Sequence, residues 1–297
     1  MTVGTFATMG GDVRPSPTHD RRWLCGGVSR ALSRGRFSAL PRGEGRGGAP
    51  YLYFLFTFAW TWLFWWSAAL SGVSWGSPIT FALYAAGGVG PILTAAFLVH
   101  FREGPEARRS FWRSVVDWRR IPALWWPLIL VLAVAPYAVG RLASGSAGPW
   151  LGVGAATILV SGIVAGLLEE PGWRGYAQDR LQQRHHVLTA AVIVGLFWSV
   201  WHLPLFFIDG TFQNRLGPGS GEFWLFLTAL VLLAIVYAAV YVGTGRSILA
   251  VVLLHAMANA AAETMSVDGA EGVETLAIAA LSLVAALALV RRRTESR

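Results

Sequence analysis

The chain has 297 residues, of which 55% are hydrophobic and only 13% are charged, and its mean hydropathy is +0.51. Soluble domains contain about 45–50% apolar residues, so this composition excludes an ordinary soluble domain and indicates a polytopic membrane protein. The net charge of +8 comes without a basic stripe interleaved with stacking aromatics, which argues against a nucleic-acid partner, and the single Cys25 excludes an intramolecular disulfide and a thiolate metal cluster.

The N-terminal segment, residues 1–48, is rich in Arg, Gly, Ser and Pro. It has no continuous apolar stretch followed by a small-residue cleavage site, so we predict a disordered cytoplasmic tail and no signal peptide. An intramembrane domain is predicted over residues 49–291, with its motifs between 150 and 263, and a short basic tail over 292–297.

Apolar runs of the length needed to cross a bilayer follow this tail. A helix needs about 20 apolar residues to span the hydrocarbon core. The sequence therefore predicts an all-α fold of about eight transmembrane helices, over residues 51–70, 79–101, 122–140, 150–168, 188–207, 223–242, 247–262 and 275–290.

Arginine placement predicts the orientation of these spans, because positively charged loops stay in the cytoplasm. With an even number of spans and both termini inside the cell, only Arg141 and Arg215 of the 24 basic residues fall outside. We therefore predict a multi-pass protein of the cell membrane with cytoplasmic N- and C-termini.

The first group of polar residues at membrane depth follows the fourth span. Glu170 and Arg174 are four residues apart, so they share a helix face and can pair. Glu169 is rotated by about 100° from its neighbour, which lets it face a cavity. Pro171 and the following glycine predict a kink or break. The span boundary places Glu169 near the inner face; an ordinary helix end with snorkelling Arg174 is the alternative.

The fifth and seventh spans carry the other two groups. His202 lies about 21 Å into its span, deeper than Glu169, and Trp198 precedes it by four residues on the same face. His255 and Asn259 are also four apart, beside a run of Ala residues that permits close helix approach. Hydrogen bonding between helices is the structural alternative for both groups.

Together these side chains provide the parts for amide hydrolysis: a base for water and donors for an oxyanion. Glu169, His202 and His255 could instead bind zinc with an open position for water, although no HExxH motif is present. A proton-coupled transporter also uses carboxylates on a broken helix, but no inverted repeat is visible. A non-catalytic membrane scaffold would not need this combination of residues.

Three motifs resemble those of the CPBP family of intramembrane proteases, which includes CAAX prenyl protease 2-like and abortive-infection proteins. EEPGWRG (169–175) fits EExxxR, HAMAN (255–259) fits HxxxN, and WSVWH (198–202) fits FxxxH with Trp198 in place of Phe. All three occur in order on separate apolar spans. The resemblance implies an α-helical membrane endopeptidase.

The resemblance also implies roles for the motif residues. Glu169 is the general base that activates water, His202 holds the same water, and His255 with Asn259 stabilises the oxyanion. Glu170, Arg174 and Trp198 support the site. We favour this glutamate-type mechanism, which needs no cofactor, over the zinc-dependent alternative. The expected partners are membrane lipid and a membrane-associated substrate, either a prenylated protein or a leader peptide.

Overall fold

The computed structural model describes Met1 and residues 50–146 and 155–295, and within these ranges the regular structure is entirely helical. The predicted tail over residues 1–48 lies outside the described ranges apart from Met1. The helices are α1 (Pro50–Leu70), α2 (Pro78–Gly88), α3 (Gly90–Arg102), α4 (Pro105–Val116), α5 (Trp125–Ala143), α6 (Ala155–Glu170), a π-helix (Pro171–Gln178), α7 (Asp179–Leu181), α8 (Val187–Trp201), α9 (Phe212–Leu216), α10 (Gly221–Gly243), α11 (Ile248–Met265) and α12 (Glu271–Glu295).

Six helical segments of the described ranges are long and apolar enough to cross a membrane, and each overlaps a predicted span. The first and fourth predicted spans are also helical but fall outside this set. Helix α1 is dense in Trp and Tyr, whose amphipathic rings lower its hydropathy, and α6 has 16 residues. A polytopic α-helical membrane protein is therefore confirmed, with six such helices in the described ranges where eight were predicted.

Two helix ends differ from the predicted boundaries. The fourth span was predicted to end at residue 168, but α6, the π-helix and α7 form one uninterrupted helical segment from Ala155 to Leu181. The adjacent Glu169 and Glu170 therefore do not end the helix, and the membrane boundary of this span stays a prediction. The last helix, α12, likewise continues to Glu295, past residue 291 where the membrane domain was predicted to end.

The predicted kink at Pro171 takes the form of a change in hydrogen-bond pattern. The backbone passes from α to π geometry at this residue without a break. Proline has no N–H to donate and its ring clashes with the carbonyl four residues earlier in an α-helix, so a wider turn accommodates it. Stretches of π-helix are rare in proteins, and those that occur are often found at functional sites.

A close helix contact brings α6 and α11 together beside this segment. A Cβ atom at Gly162 would lie 2.8 Å from the Ala256 carbonyl oxygen, and one at Gly166 would lie 3.0 Å from that of Val252. The two glycines are four residues apart and so are the residues they contact, which is the small-residue packing of membrane helices. This contact holds His255 next to the helix that carries the two glutamates.

Several charged side chains, which we call the Asp179 cluster, lie at the C-terminal end of the helical segment 155–181. The buried Asp179 carboxylate pairs with Arg246 at 2.6 Å and with Arg180 at 3.2 Å, while Arg180 also bonds Glu103. Arg246 has a φ of 64°, a left-handed conformation that costs a non-glycine residue about 1–3 kcal/mol. The cluster ties α7 to the loop between α10 and α11.

Candidate active site

The most buried group of the site is the Glu170 carboxylate, which has no solvent exposure. Its Oε1 accepts hydrogen bonds from Arg174 Nη1 at 3.1 Å and from His255 Nδ1 at 2.7 Å. The pairing of Glu170 with Arg174 follows from their four-residue spacing, as the sequence predicted. These three side chains form one ionic group, which we call the Glu170 cluster.

Two aromatic rings enclose the Arg174 guanidinium. Its Cζ lies 4.5 Å from the centroid of the Trp198 ring and 4.6 Å from that of Tyr237. A guanidinium at this distance from a ring face is attracted by the ring quadrupole, and the attraction increases when the pair is desolvated. Tyr237 was not predicted as a site residue, since nothing in the apolar α10 sequence distinguishes it from lipid-facing aromatics.

Trp198 joins the two side chains proposed to hold water. Its indole Nε1 donates to Glu169 Oε2 at 2.8 Å, and its backbone carbonyl accepts from His202 Nδ1 at 2.7 Å. A carbonyl oxygen can only accept, so Nδ1 carries the hydrogen and Nε2 of the neutral imidazole keeps a lone pair. Glu169 and His202 therefore share Trp198 as a hydrogen-bond partner.

The two adjacent glutamates occupy different environments. Glu169 is partly buried and bonds Trp198, whereas Glu170 is fully buried and bonds a cation and an imidazole. The 100° rotation between successive helix residues accounts for this separation. Glu169 is thus the more accessible carboxylate, and Glu170 is the carboxylate held by charge.

Asn259 lies apart from these contacts. Its side chain is exposed, and no hydrogen bond joins it to another side chain or to the backbone of the described ranges. It sits one turn beyond His255 on the same face of α11. The structure therefore brings Glu169, Glu170, Arg174, Trp198, His202 and His255 into one network and leaves Asn259 at its edge.

The π-helix packs tightly on α1 and α3 beside the site. A Cβ at Gly172 would overlap the Tyr53 hydroxyl and approach the Pro91 carbonyl oxygen to 2.7 Å, so only glycine fits. The Tyr53 and Trp173 rings meet edge to face with centroids 5.6 Å apart. Tyr53 and Trp173 were not predicted as neighbours of the site, although Gly172 in the EEPGWRG motif signals a close approach at this position.

The zinc alternative requires Glu169, His202 and His255 to converge on one point. Within the described ranges, no three His, Cys, Asp or Glu side chains are grouped so that they could hold a metal ion. His255 Nδ1 bonds Glu170, and His202 Nδ1 bonds a backbone carbonyl. These bonds leave both Nε2 atoms free, but the side chains as arranged are not grouped as a three-ligand zinc site in the described ranges.

Comparisons with known proteins agree with the motifs. A family model described as type II CAAX prenyl endopeptidase Rce1-like matches residues 150–261, the part of the chain that carries all three motifs. CAAX prenyl protease 2 of Methanococcus maripaludis is 27% identical over 231 residues, which cover 73% of this chain and 85% of that protein. The motifs, the helical fold and both matches agree that the chain is similar to CAAX prenyl endopeptidases.

Proposed function

We propose that the protein is an intramembrane endopeptidase that hydrolyses a peptide bond with water activated by Glu169 and His202. The observation that carries this proposal is the bridge through Trp198, which bonds a carboxylate through its indole and an imidazole through its backbone carbonyl. The similarity to CAAX prenyl endopeptidases supports the endopeptidase class. The geometry supports the choice of residues.

In the first step, Glu169 accepts a proton from water as the water oxygen attacks the scissile carbonyl carbon. His202 Nε2, which has a free lone pair when Nδ1 donates to Trp198, can accept a hydrogen bond from the same water and orient it. The tetrahedral oxyanion then collapses, the C–N bond breaks, and the proton on Glu169 passes to the leaving amine. Glu169 is regenerated as a carboxylate.

The oxyanion requires hydrogen-bond donors, and we assign this role to His255 and Asn259. With Nδ1 bonded to Glu170, the other nitrogen of His255 is available to the substrate, and the Glu170 carboxylate stabilises the ring when both nitrogens are protonated. Asn259 has a free carboxamide one turn away. Glu170 and Arg174 act as positioning residues, because they fix His255 and do not meet the water.

Support for the substrate class comes from the name of a relative. The name of the Methanococcus relative refers to CAAX prenyl proteins, which supports a prenylated protein as substrate, while a leader peptide suits the same mechanism. In either case the partners are lipid and a peptide at the membrane. The distribution of Arg supports a multi-pass protein of the cell membrane with both termini in the cytoplasm, which reporter fusions at the two termini would test.

A peptide library tests the proposed function. The full chain in liposomes is incubated with prenylated and unprenylated peptides, with and without a chelator, and products are identified by mass spectrometry. We expect cleavage by the wild type, none by Glu169→Ala or His202→Ala, and no effect of the chelator. Loss of cleavage on chelation, restored by zinc, would favour the metal-dependent mechanism; full activity in both variants would contradict the proposed residues.

A further inference from the structure

Helix α4 and the residues that follow it connect two candidate membrane spans through a strongly basic segment. Between residues 102 and 120 this segment carries Arg102, Arg108, Arg109, Arg113, Arg119 and Arg120. One face of α4 packs on the protein through the buried Phe111 and Val115. The opposite face is exposed and presents Arg109 and Arg113.

A groove of about 510 Å³ lies on this exposed face. Its lining consists of Pro105, Glu106, Arg109, Ser110, Arg113 and Arg120. Arg120 is partly balanced by Asp117, at 3.5 Å. Arg109 and Arg113 form no ion pair with another residue of the described ranges. The groove therefore has three guanidinium groups against one carboxylate in its wall and carries a net positive charge.

Exposed apolar side chains flank the groove. Trp112 and Val116 lie on α4. Trp118 lies between α4 and α5, and Trp126 lies in the first turn of α5. Trp is enriched at the level of lipid headgroups, where an apolar ring and a polar N–H are both accommodated. An amphipathic helix with Arg and Trp on its exposed side is typical of a helix that lies along a membrane surface.

We propose that this groove, the Arg109 groove, binds the headgroup of an anionic phospholipid. Guanidinium groups donate two parallel hydrogen bonds to a phosphate, which gives them geometric preference for this anion. Basic clusters on amphipathic helices next to a membrane span attract anionic lipid in the same way. The proposal rests on the surface alone and does not depend on the proposed peptidase activity.

Lipid selectivity can be measured without any peptide substrate. The full chain is reconstituted in phosphatidylcholine nanodiscs that contain a trace of spin-labelled phosphatidylglycerol or spin-labelled phosphatidylcholine. The motionally restricted fraction of each label is then compared by electron paramagnetic resonance. We expect the wild type to prefer phosphatidylglycerol, and the double variant R109Q/R113Q to lose about 10- to 30-fold of that preference, since each basic residue contributes several-fold.

The matched control is R102Q/R119Q, which removes the same charge from the same segment outside the groove. We expect it to change the preference by less than about twofold. Equal losses in both double variants would indicate diffuse attraction and overturn a defined site, as would a wild type without preference. Arg113→Gln alone serves if the double variant does not fold, and should give about half the loss on a logarithmic scale.

A second arm distinguishes lipid from free phosphate. Inorganic phosphate at about 10 mM is added while chloride keeps the ionic strength constant. An unchanged preference for phosphatidylglycerol is expected if the glycerol-linked headgroup and its membrane position contribute to binding. Complete loss of the preference would show that the groove takes the free anion, and would overturn the assignment to lipid.

Discussion

Two buried ionic clusters lie on the same helical segment, nine residues apart, and they differ in how fully their carboxylates are bonded. Asp179 uses both oxygens: Oδ1 bonds Arg246 and lies 3.4 Å from the Tyr241 hydroxyl, and Oδ2 bonds Arg180. Glu170 concentrates both of its bonds on Oε1, and its Oε2 has no partner in the described ranges. Burial of charge alone does not distinguish a catalytic site from a structural one.

The surroundings of the two clusters explain the difference. The Glu170 cluster is enclosed by aromatic rings, contains an imidazole and adjoins the partly buried Glu169. The Asp179 cluster contains only guanidinium, carboxylate and phenol groups, and its arginines reach towards the surface. The first arrangement contains an imidazole, the side-chain type most often used for proton transfer, whereas the second joins α7 to the loop between α10 and α11. This contrast predicts that variants of the first affect turnover and variants of the second affect stability.

The largest effect is expected for Glu169→Gln. Loss of a general base lowers turnover by about 10²–10⁴-fold, and the neutral amide can still accept a hydrogen bond from Trp198, so the fold should persist. Turnover is measured on a peptide found in the library, and the melting temperature is measured in parallel. Glu222→Gln, an exposed glutamate at the start of α10, is the matched control. Equal turnover in the two variants would remove Glu169 from the mechanism.

A smaller loss is expected for Asn259→Ala. Removal of one oxyanion donor lowers kcat by about 10²–10³-fold in enzymes that use one. Because Asn259 is exposed and its side chain makes no hydrogen bond in the described ranges, its removal should leave the melting temperature unchanged. An effect confined to KM would instead indicate that Asn259 binds substrate.

The Asp179 cluster should show the opposite pattern. Asp179→Ala leaves Arg246 and Arg180 without their shared partner, and we expect a loss of about 2–3 kcal/mol in the free energy of unfolding, less than for a fully buried pair because Arg246 is partly exposed. Unfolding by denaturant in mixed micelles measures this. At a temperature where the variant is folded, kcat should stay within about threefold of the wild type. A large loss of kcat in the folded variant would contradict the prediction that the Asp179 cluster affects stability and not turnover.

The smallest effect on turnover is expected from removing the single hydrogen bond between Trp198 and Glu169. Trp198→Phe keeps a ring over Arg174 but removes the indole N–H that donates to Glu169, and we expect turnover to fall by about tenfold, the value of one charge-assisted bond. Trp201→Phe is the matched control, because the Trp201 indole N–H has no partner in the described ranges. Similar losses in both variants would point to ring packing and not to the hydrogen bond.

The sequence predicted which polar side chains lie close together, while their chemical roles stay predictions. Residue type and four-residue spacing were enough to pair Glu170 with Arg174 and to name His202 and His255 as neighbours of that pair. The helix continues past the end predicted for the fourth span, because Glu170 pairs with Arg174 inside the protein and does not end the helix. Tyr237 and Tyr53 were missed because their roles depend on which helices are neighbours. The spacing of Gly162 and Gly166 is a sequence signal of one such neighbour, since small residues four apart permit close helix contact.

The π-helix has a consequence for chain length. Each of its turns encloses one more residue than an α turn, since its hydrogen bonds join residues five apart and not four. The number of residues in the segment therefore sets the angle about the helix axis between the Glu170 and Asp179 side chains. Deleting one residue between them would turn Asp179 relative to Glu170 by the angle of one helical residue, roughly 80–100°, so the two could no longer reach their arginines together. We therefore expect this part of the chain to tolerate substitutions better than insertions or deletions.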